Sequence, residues 1–349
     1  MRLRLPAILA SILCALLLVT PSYAQRQVTI GVLGLFHPRE LILQPAAMQA
    51  ISVRYASQTL LLNGERGHRA LVLRAAGNNV AIAGLLMPRI EVSARDGSPA
   101  RFRLEAPGKI HRNYAGKLSI TAENGRLIAV IALDIEEAVA AIVASEMPQT
   151  APMEALKAQA VAVRSFLSAG SRHPNFDFCD TTHCQFFRSP EDADERVREA
   201  VAATQGIVLS WNQRIIAAMY ASRCGGHTHT LRETGMKSGD AYPYYSVLCR
   251  WCHEHPLRWR RKIIGGDQTI PSENEPARIR YARQWGWGSL PGNQFTTTKD
   301  ANGEWMEGRN IGHGIGLCQA GAMGMASAGQ DFRSILTHYY PNSVIDRLP

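Results

Sequence analysis

The sequence predicts an α+β protein: a β-rich N-terminal region followed by a mixed α/β domain that carries an active-site cleft. Three observations lead there. Short runs of alternating apolar and polar residues fill residues 25 to 111, separated by Gly, Asn and Pro. Asn124-Gly125, a strong hairpin signal, joins two more such runs, KLSITAE and RLIAVIAL. The period then lengthens to the helical value and holds as far as Leu167, interrupted once at Met147-Pro148.

Residues 1–24 read as a secretory signal. Arg2 and Arg4 precede an apolar run from Leu5 to Thr20, and Ser22-Tyr23-Ala24 supplies small residues at the cleavage positions. The apolar run is short for a membrane span, and no later stretch approaches one. The expected mature protein is therefore exported, to a periplasm or to the cell wall, with no stable membrane span. Loss of the two arginines lowers the formal charge from +9 to +7. Such a charge suits nucleic acid, an anionic membrane or an acidic wall polymer. The cations are dispersed and no nucleic-acid-reading motif is present, so a wall polymer fits best and nucleic acid is not expected.

Between 25 and 111 the runs QVTIGVLGLF, ELILQ, AISVRYA, QTLLLNG, ALVLRA, NVAIAGLLM, IEVSAR and RFRLEA predict strands without a catalytic constellation. The hairpin at Asn124-Gly125 then delivers the chain to Asp134. Asp134 and Glu137 resemble a capping box, and Ile135, Val139 and Ile142 mark an apolar helical face. Glu146 falls on that face in the last turn before Pro148. Apolar surroundings and the negative end of the helix dipole both disfavour its charge, as a general acid working near neutrality requires. A second helix begins at Pro152 and runs to about Ala169, with Leu156, Ala160, Val163 and Leu167 as its apolar stripe. Lys157 and Arg164 lie roughly 20° apart on one flank of that stripe and Gln159 toward the other. They are either solvated edge residues or a border that holds a polar polymer at Glu146.

Residues 170 to 190, rich in His, Asp and Cys, predict a loop forming a cleft wall. A mainly solvent-facing helix is expected from about Glu191 to Gly206. A strand pair follows around Asn212-Gln213, and then a turn at Ser222-Arg223-Cys224-Gly225-Gly226-His227. Between 240 and 310 the pattern thins into irregular segments containing Trp251, Trp259, Trp285 and Trp287, rings suited to sugars or to a core. Gly312, Gly314 and Gly316 lack the context of a dinucleotide fingerprint. They predict a tight backbone that leaves His313 and Gln319 facing the cleft. A last helix starts near Asp331.

Two stretches carry a family resemblance. VASEMPQTAPMEALKAQAVAVRSF and GRNIGHGIGLCQAGAMGMASAGQDFRSILTHYYPNSVI are similar to the two signatures of the stage II sporulation protein D and amidase enhancer (SpoIID/LytB) family. YAGKLSI, CDTTHCQ and ASRCGGHTH agree more weakly, so the resemblance covers about 112–349 and sets the expected domain division at residue 111. It implies lytic cleavage of peptidoglycan glycan strands, with the Glu of E-M-P, Glu146 here, as the catalytic acid. It also implies a substrate-binding role for Lys157, Gln159, Arg164, Ser222, His313 and Gln319, and strands already stripped of peptide by an amidase as substrate. No cofactor is required for that chemistry. The family's other named activity, stimulation of a cell-wall amidase without catalysis, is the alternative.

Six cysteines follow the signal segment: Cys179, Cys184, Cys224, Cys249, Cys252 and Cys318. An even count in an exported chain favours disulfides. Cys249-Arg-Trp-Cys252 instead has the spacing of a zinc knuckle, and histidines are dense nearby. A structural zinc on Cys224, Cys249, Cys252 and either Cys184 or a histidine is one expectation; a separate site from His173, Cys179 and Cys184 is another. Spacing does not separate zinc from disulfides.

Overall fold

The computed structural model describes residues 26–47, 49–63, 69–238, 241–265 and 270–348. The expected signal segment lies outside the described residues. The strands that follow it are β1 (Gln27–Val32), β2 (Glu40–Pro45), β3 (Ala50–Tyr55), β4 (Gln58–Asn63), β5 (Leu71–Ala76), β6 (Asn79–Ile82), β7 (Leu85–Met87), β8 (Arg89–Ala94), β9 (Ala100–Ala106), β10 (Ile110–Glu123) and β11 (Arg126–Asp134). Each expected run became a strand, and NVAIAGLLM became two. Ala83 and Gly84 both take left-handed backbone (φ 48° and 81°), which turns that run back on itself.

The architecture is α+β. β10 joins the two halves of a twelve-stranded sheet. Its first part, to Gly116, pairs with β9, and its second part pairs with β11 on one side and β8 on the other. Gly116 marks the change, with φ 145° and no room for a Cβ against the Ile131 side chain. The division expected at residue 111 falls inside this strand. β1 also zips along β11, from Gln27 opposite Asp134 to Val32 opposite Ala129. The first strand is thus built into the same sheet as the one that leads into the helices.

Asn124-Gly125 makes the expected hairpin turn, with φ 50° and 71°. β11 ends at Asp134, whose carboxylate accepts from the Glu136 backbone N–H at 2.8 Å and caps α1 (Ile135–Glu146). Glu137 does not close a capping box; it lies 3.6 Å from Arg198. α2 (Met153–Ser168) is buried on nearly every side, because α1, α3 (Glu195–Ala203) and strand β13 (Ile207–Trp211) pack around it. α3 starts later than the sequence predicts: Asp194 caps it from the Val197 N–H, and Pro190–Asp192 forms a short 3-10 turn instead.

β12 (Phe178–Cys179) adds to the edge of the large sheet beside β1. β13 pairs with β14 (Arg214–Ile215) and with the last strand of the chain, Val344–Arg347. β15 (Tyr220–Ala221) precedes two short helices, α4 (Leu231–Thr234) and α5 (Arg250–Glu254). The segment read as irregular contains a small lobe. It comprises β16 (Trp259–Lys262), α6 (Glu275–Trp285), β17 (Phe295–Asp300) and β18 (Gly303–Gly308), around a core of Trp259, Tyr281, Leu290, Phe295 and Met306. Trp259–Lys262 and Phe295–Asp300 expose every residue after the first and so lack the alternation that reveals a half-buried strand, while Gly303–Gly308 buries Met306 and Gly308. β19 (Leu317–Cys318), α7 (Gln319–Ser327), α8 (Phe332–Tyr339) and β20 (Val344–Arg347) complete the chain. Among the described residues no helix is long and apolar enough to cross a membrane.

Candidate active site

Glu146 ends α1 where Pro148 prevents its continuation, and its side chain lines a cavity of about 230 Å³. One carboxylate oxygen accepts the Phe186 backbone N–H at 2.9 Å, and the buried amide of Gln319 lies beside the carboxyl. Burial raises the carboxyl pKa to about 7, and the contacts from Phe186 and Gln319 hold it from rising further. The carboxyl can therefore hold its proton close to neutral pH.

Phe186 belongs to the loop after α2, which is fastened to β1. Asp177 accepts the Thr29 N–H and hydroxyl at 2.8 and 2.7 Å, and Asp180 accepts the Leu33 N–H at 3.0 Å. On the facing wall, the Tyr220 hydroxyl donates to Gln185 at 2.8 Å. Burial, and then the charge of Glu146, keeps that phenol well above its ordinary pKa. Tyr220 is therefore a neutral donor beside the carboxyl. The glycine-rich segment supplies the remaining wall. Gly316, at φ 68°, has no space for a Cβ against the Met219 carbonyl, and this close approach lets β19 run parallel beside β15. Ser222 follows β15, and Gln319 opens α7 just after β19.

The predicted site residues divide into two groups. Glu146, Ser222 and His313 line one cavity, and Gln319 lies against Glu146 from behind its wall. Burial lowers the His313 pKa to about 4. Its Nδ1 accepts the Ile315 N–H at 3.0 Å, so the ring is neutral and part of the framework. The other three stand away from the cavity. Arg164, wholly buried, forks onto Glu136 at 2.8 and 2.6 Å and donates to the carbonyls of Ile207 and Val201. Glu136 lies at the opposite end of α1 from Glu146, roughly 15 Å away along the helix. The expectation that Arg164 contacts substrate is thus corrected: all its surroundings are protein. Lys157 bonds Glu154 at 2.7 Å, and Glu154 in turn caps the Phe332 N–H at 2.9 Å. Gln159 is wholly buried.

Of the four rings suited to sugars or to a core, Trp287 lines the cavity. Arg172, His183 and a second carboxylate, Glu275, line it as well, and no local pattern pointed to them there. Glu275 is not free: Arg278 clamps both its oxygens at 2.7 Å, and the pair is buried. Glu275-Pro-Ala-Arg278 is an i, i+3 pair on a helix and was visible in principle, but nothing local ties it to Glu146.

Among the described residues no cysteine is in a disulfide, and the six gather in two groups. His173, Cys179, His183 and Cys184 bring their ligand atoms within 4.8 Å of one another, and Cys224, Cys249, Cys252 and Cys318 do the same. The fourth partner of the knuckle is therefore Cys318, and Cys184 belongs with the histidines. In the first group His173 Nε2 and His183 Nδ1 stand 3.2 and 3.6 Å from the Cys184 sulfur, distances that tetrahedral zinc spans well.

A family model described as stage II sporulation protein, SpoIID, matches residues 123–211, the interval from the hairpin through both helices to β13. An uncharacterized protein of Brachyspira hyodysenteriae is 30% identical over 263 residues, 65% of this chain and 70% of that one. The chain belongs to the SpoIID/LytB family. Stage II sporulation protein D of Bacillus subtilis is 28% identical over 259 residues, covering 61% of this chain and 74% of its own length. The amidase enhancer of the same organism is 24% identical over 288 residues, and the match spans 39% of that longer protein. The family match includes Glu146 but stops before Ser222, His313 and Gln319, which fold in from later in the chain.

Proposed function

We propose that this protein is an exported peptidoglycan lytic transglycosylase that cleaves the bond from N-acetylmuramic acid to N-acetylglucosamine. The observation that carries this reading is a carboxyl held near pKa 7 on the wall of a cavity, beside a neutral phenol and a buried amide. Protonated Glu146 gives its proton to the glycosidic oxygen as that bond breaks. As a carboxylate it accepts the proton of the muramic acid C6 hydroxyl, which closes on C1 to leave a 1,6-anhydro end. A single acid–base residue suffices because the sugar's own hydroxyl replaces an activated water. Glu275, the other carboxylate on the cavity lining, has both oxygens engaged by Arg278, which suits an anchor of the wall better than the water-activating base of a hydrolase. The Phe186 N–H and Gln319 stabilise the carboxylate half of the cycle, and Ser222 and Trp287 offer a hydroxyl and a ring to the strand.

Zinc on His173, Cys179, His183 and Cys184 would have all four positions taken by protein and would serve as a fixed link in the loop beside the cavity. The strands consumed would be those from which an amidase has removed peptide. Digestion of denuded glycan strands by the pure protein, followed by mass spectrometry, tests the assignment. Anhydro ends are expected, and they should vanish in Glu146→Gln. Reducing ends would mark a hydrolase. Absence of cleavage with faster amidase turnover would mark an enhancer.

A further inference from the structure

The second sulfur cluster lies outside the catalytic cavity and plays no part in the chemistry assigned to Glu146. Cys224 comes from the turn after β15, Cys249 and Cys252 from the start of α5, and Cys318 from the residue that caps α7. All four sulfurs are buried, in a region with no histidine or carboxylate among the grouped ligands. Cys252 and Cys318 stand 3.5 Å apart. Ligands of a tetrahedral zinc–sulfur centre stand about 3.8 Å apart, whereas a disulfide requires about 2.0 Å. Two disulfides would divide four sulfurs into separate pairs, but here each lies within 4.8 Å of every other.

The surroundings suit a negatively charged thiolate cage. The Gly321 N–H points at the Cys318 sulfur at 3.4 Å, and the Tyr339 hydroxyl lies 3.3 Å from that of Cys249. Both can donate to thiolate, as outer partners of metal ligands do. Cys318 also occupies the N-cap of a nine-residue helix, where the dipole favours negative charge. A Cβ on Gly321 would meet the Tyr339 hydroxyl and, at 2.5 Å, the Cys249 sulfur, so only glycine fits against the cage.

We infer that Cys224, Cys249, Cys252 and Cys318 form a closed, structural tetrathiolate zinc site that joins three chain segments behind the catalytic cavity. On binding, each thiol gives its proton to solvent and the four thiolates fill the coordination sphere. The residue next to Cys318 is Gln319, and the Ala320 N–H bonds the Ser222 carbonyl at 3.1 Å. The site thereby fixes the helix start that holds the amide against Glu146.

The test uses untagged protein with Cys179→Ser and Cys184→Ser, which removes the other ligand group. Metal analysis and native mass spectrometry should find one zinc per chain. Exchange for cobalt should give the intense thiolate charge-transfer absorption and visible bands of a four-sulfur tetrahedral centre. Adding Cys318→Ser should abolish the zinc. Should that variant fail to fold, the zinc count and cobalt spectrum of the parent still decide. A metal-free chain four hydrogens lighter, with two disulfides, would overturn the inference, as would a metal-free chain with four reactive thiols. Neither result bears on anhydro-end formation, so the two proposals fail separately.

Discussion

Replacing Glu146 by Gln should raise the stability of the protein at neutral pH while abolishing its activity. The carboxyl has an ordinary pKa of 4.5 and a folded-state value of about 7. Between those values the folded chain binds more protons than the unfolded one, so the wild type loses stability as pH rises through that window. At about 1.4 kcal/mol per pH unit, the loss reaches about 3 kcal/mol by pH 7 to 8. Gln has no charge to bury, keeps an oxygen for the Phe186 N–H and fills almost the same volume. The variant and the wild type should therefore be about equally stable near pH 4.5 and diverge steadily above it, to about 3 kcal/mol in favour of the variant. Urea unfolding of both proteins at half-unit pH steps measures this, and taking the difference cancels every other titrating group. Parallel curves would refute the argument, because they would mean that the carboxyl ionises in the folded protein as freely as it does in water.

Other outcomes follow from the same geometry. The rate of anhydro-end formation should fall on the alkaline side of about pH 7 as Glu146 loses its proton, and Gln319→Leu should move that limb to higher pH; a pH–rate profile reads both. Arg164→Met should destabilise the fold by about 3–5 kcal/mol by leaving the Glu136 carboxylate without its partner, and Arg164→Met with Glu136→Gln should recover much of that loss, as measured by chemical denaturation. Trp287→Ala should raise KM for glycan strands more than it lowers kcat if the ring serves as a platform for sugar, which steady-state kinetics resolves. Gly316→Ala should cost on the order of 1–3 kcal/mol, since it combines a left-handed backbone with a collision at the Met219 carbonyl; thermal melting checks it.

Local signals were enough for what depends on neighbours in the chain. The alternating runs, the Asn124-Gly125 turn, the Asp134 start and the Pro148 stop together place a carboxylate at a helix end, because hydrogen bonding and side-chain direction there repeat over a few residues. The small lobe between residues 259 and 308 shows where this ends: Trp259–Lys262 and Phe295–Asp300 face solvent after their first residues, so no apolar period announced them. Arg164 shows the same limit within a helix. Periodicity assigns it to a flank, but whether a flank meets water or another helix depends on elements far along the chain, here α1 and β13.

What the sequence determined alone was the presence of an acid at a helix tip and, among its seven cysteines, of six beyond residue 24 with one knuckle spacing. Tertiary structure decided the rest, since burial and proximity arise from segments distant in sequence. The loop at 186 and the helix start at 319 meet the carboxyl at 146 and set its proton affinity, and Cys318 closes a cluster begun at Cys224.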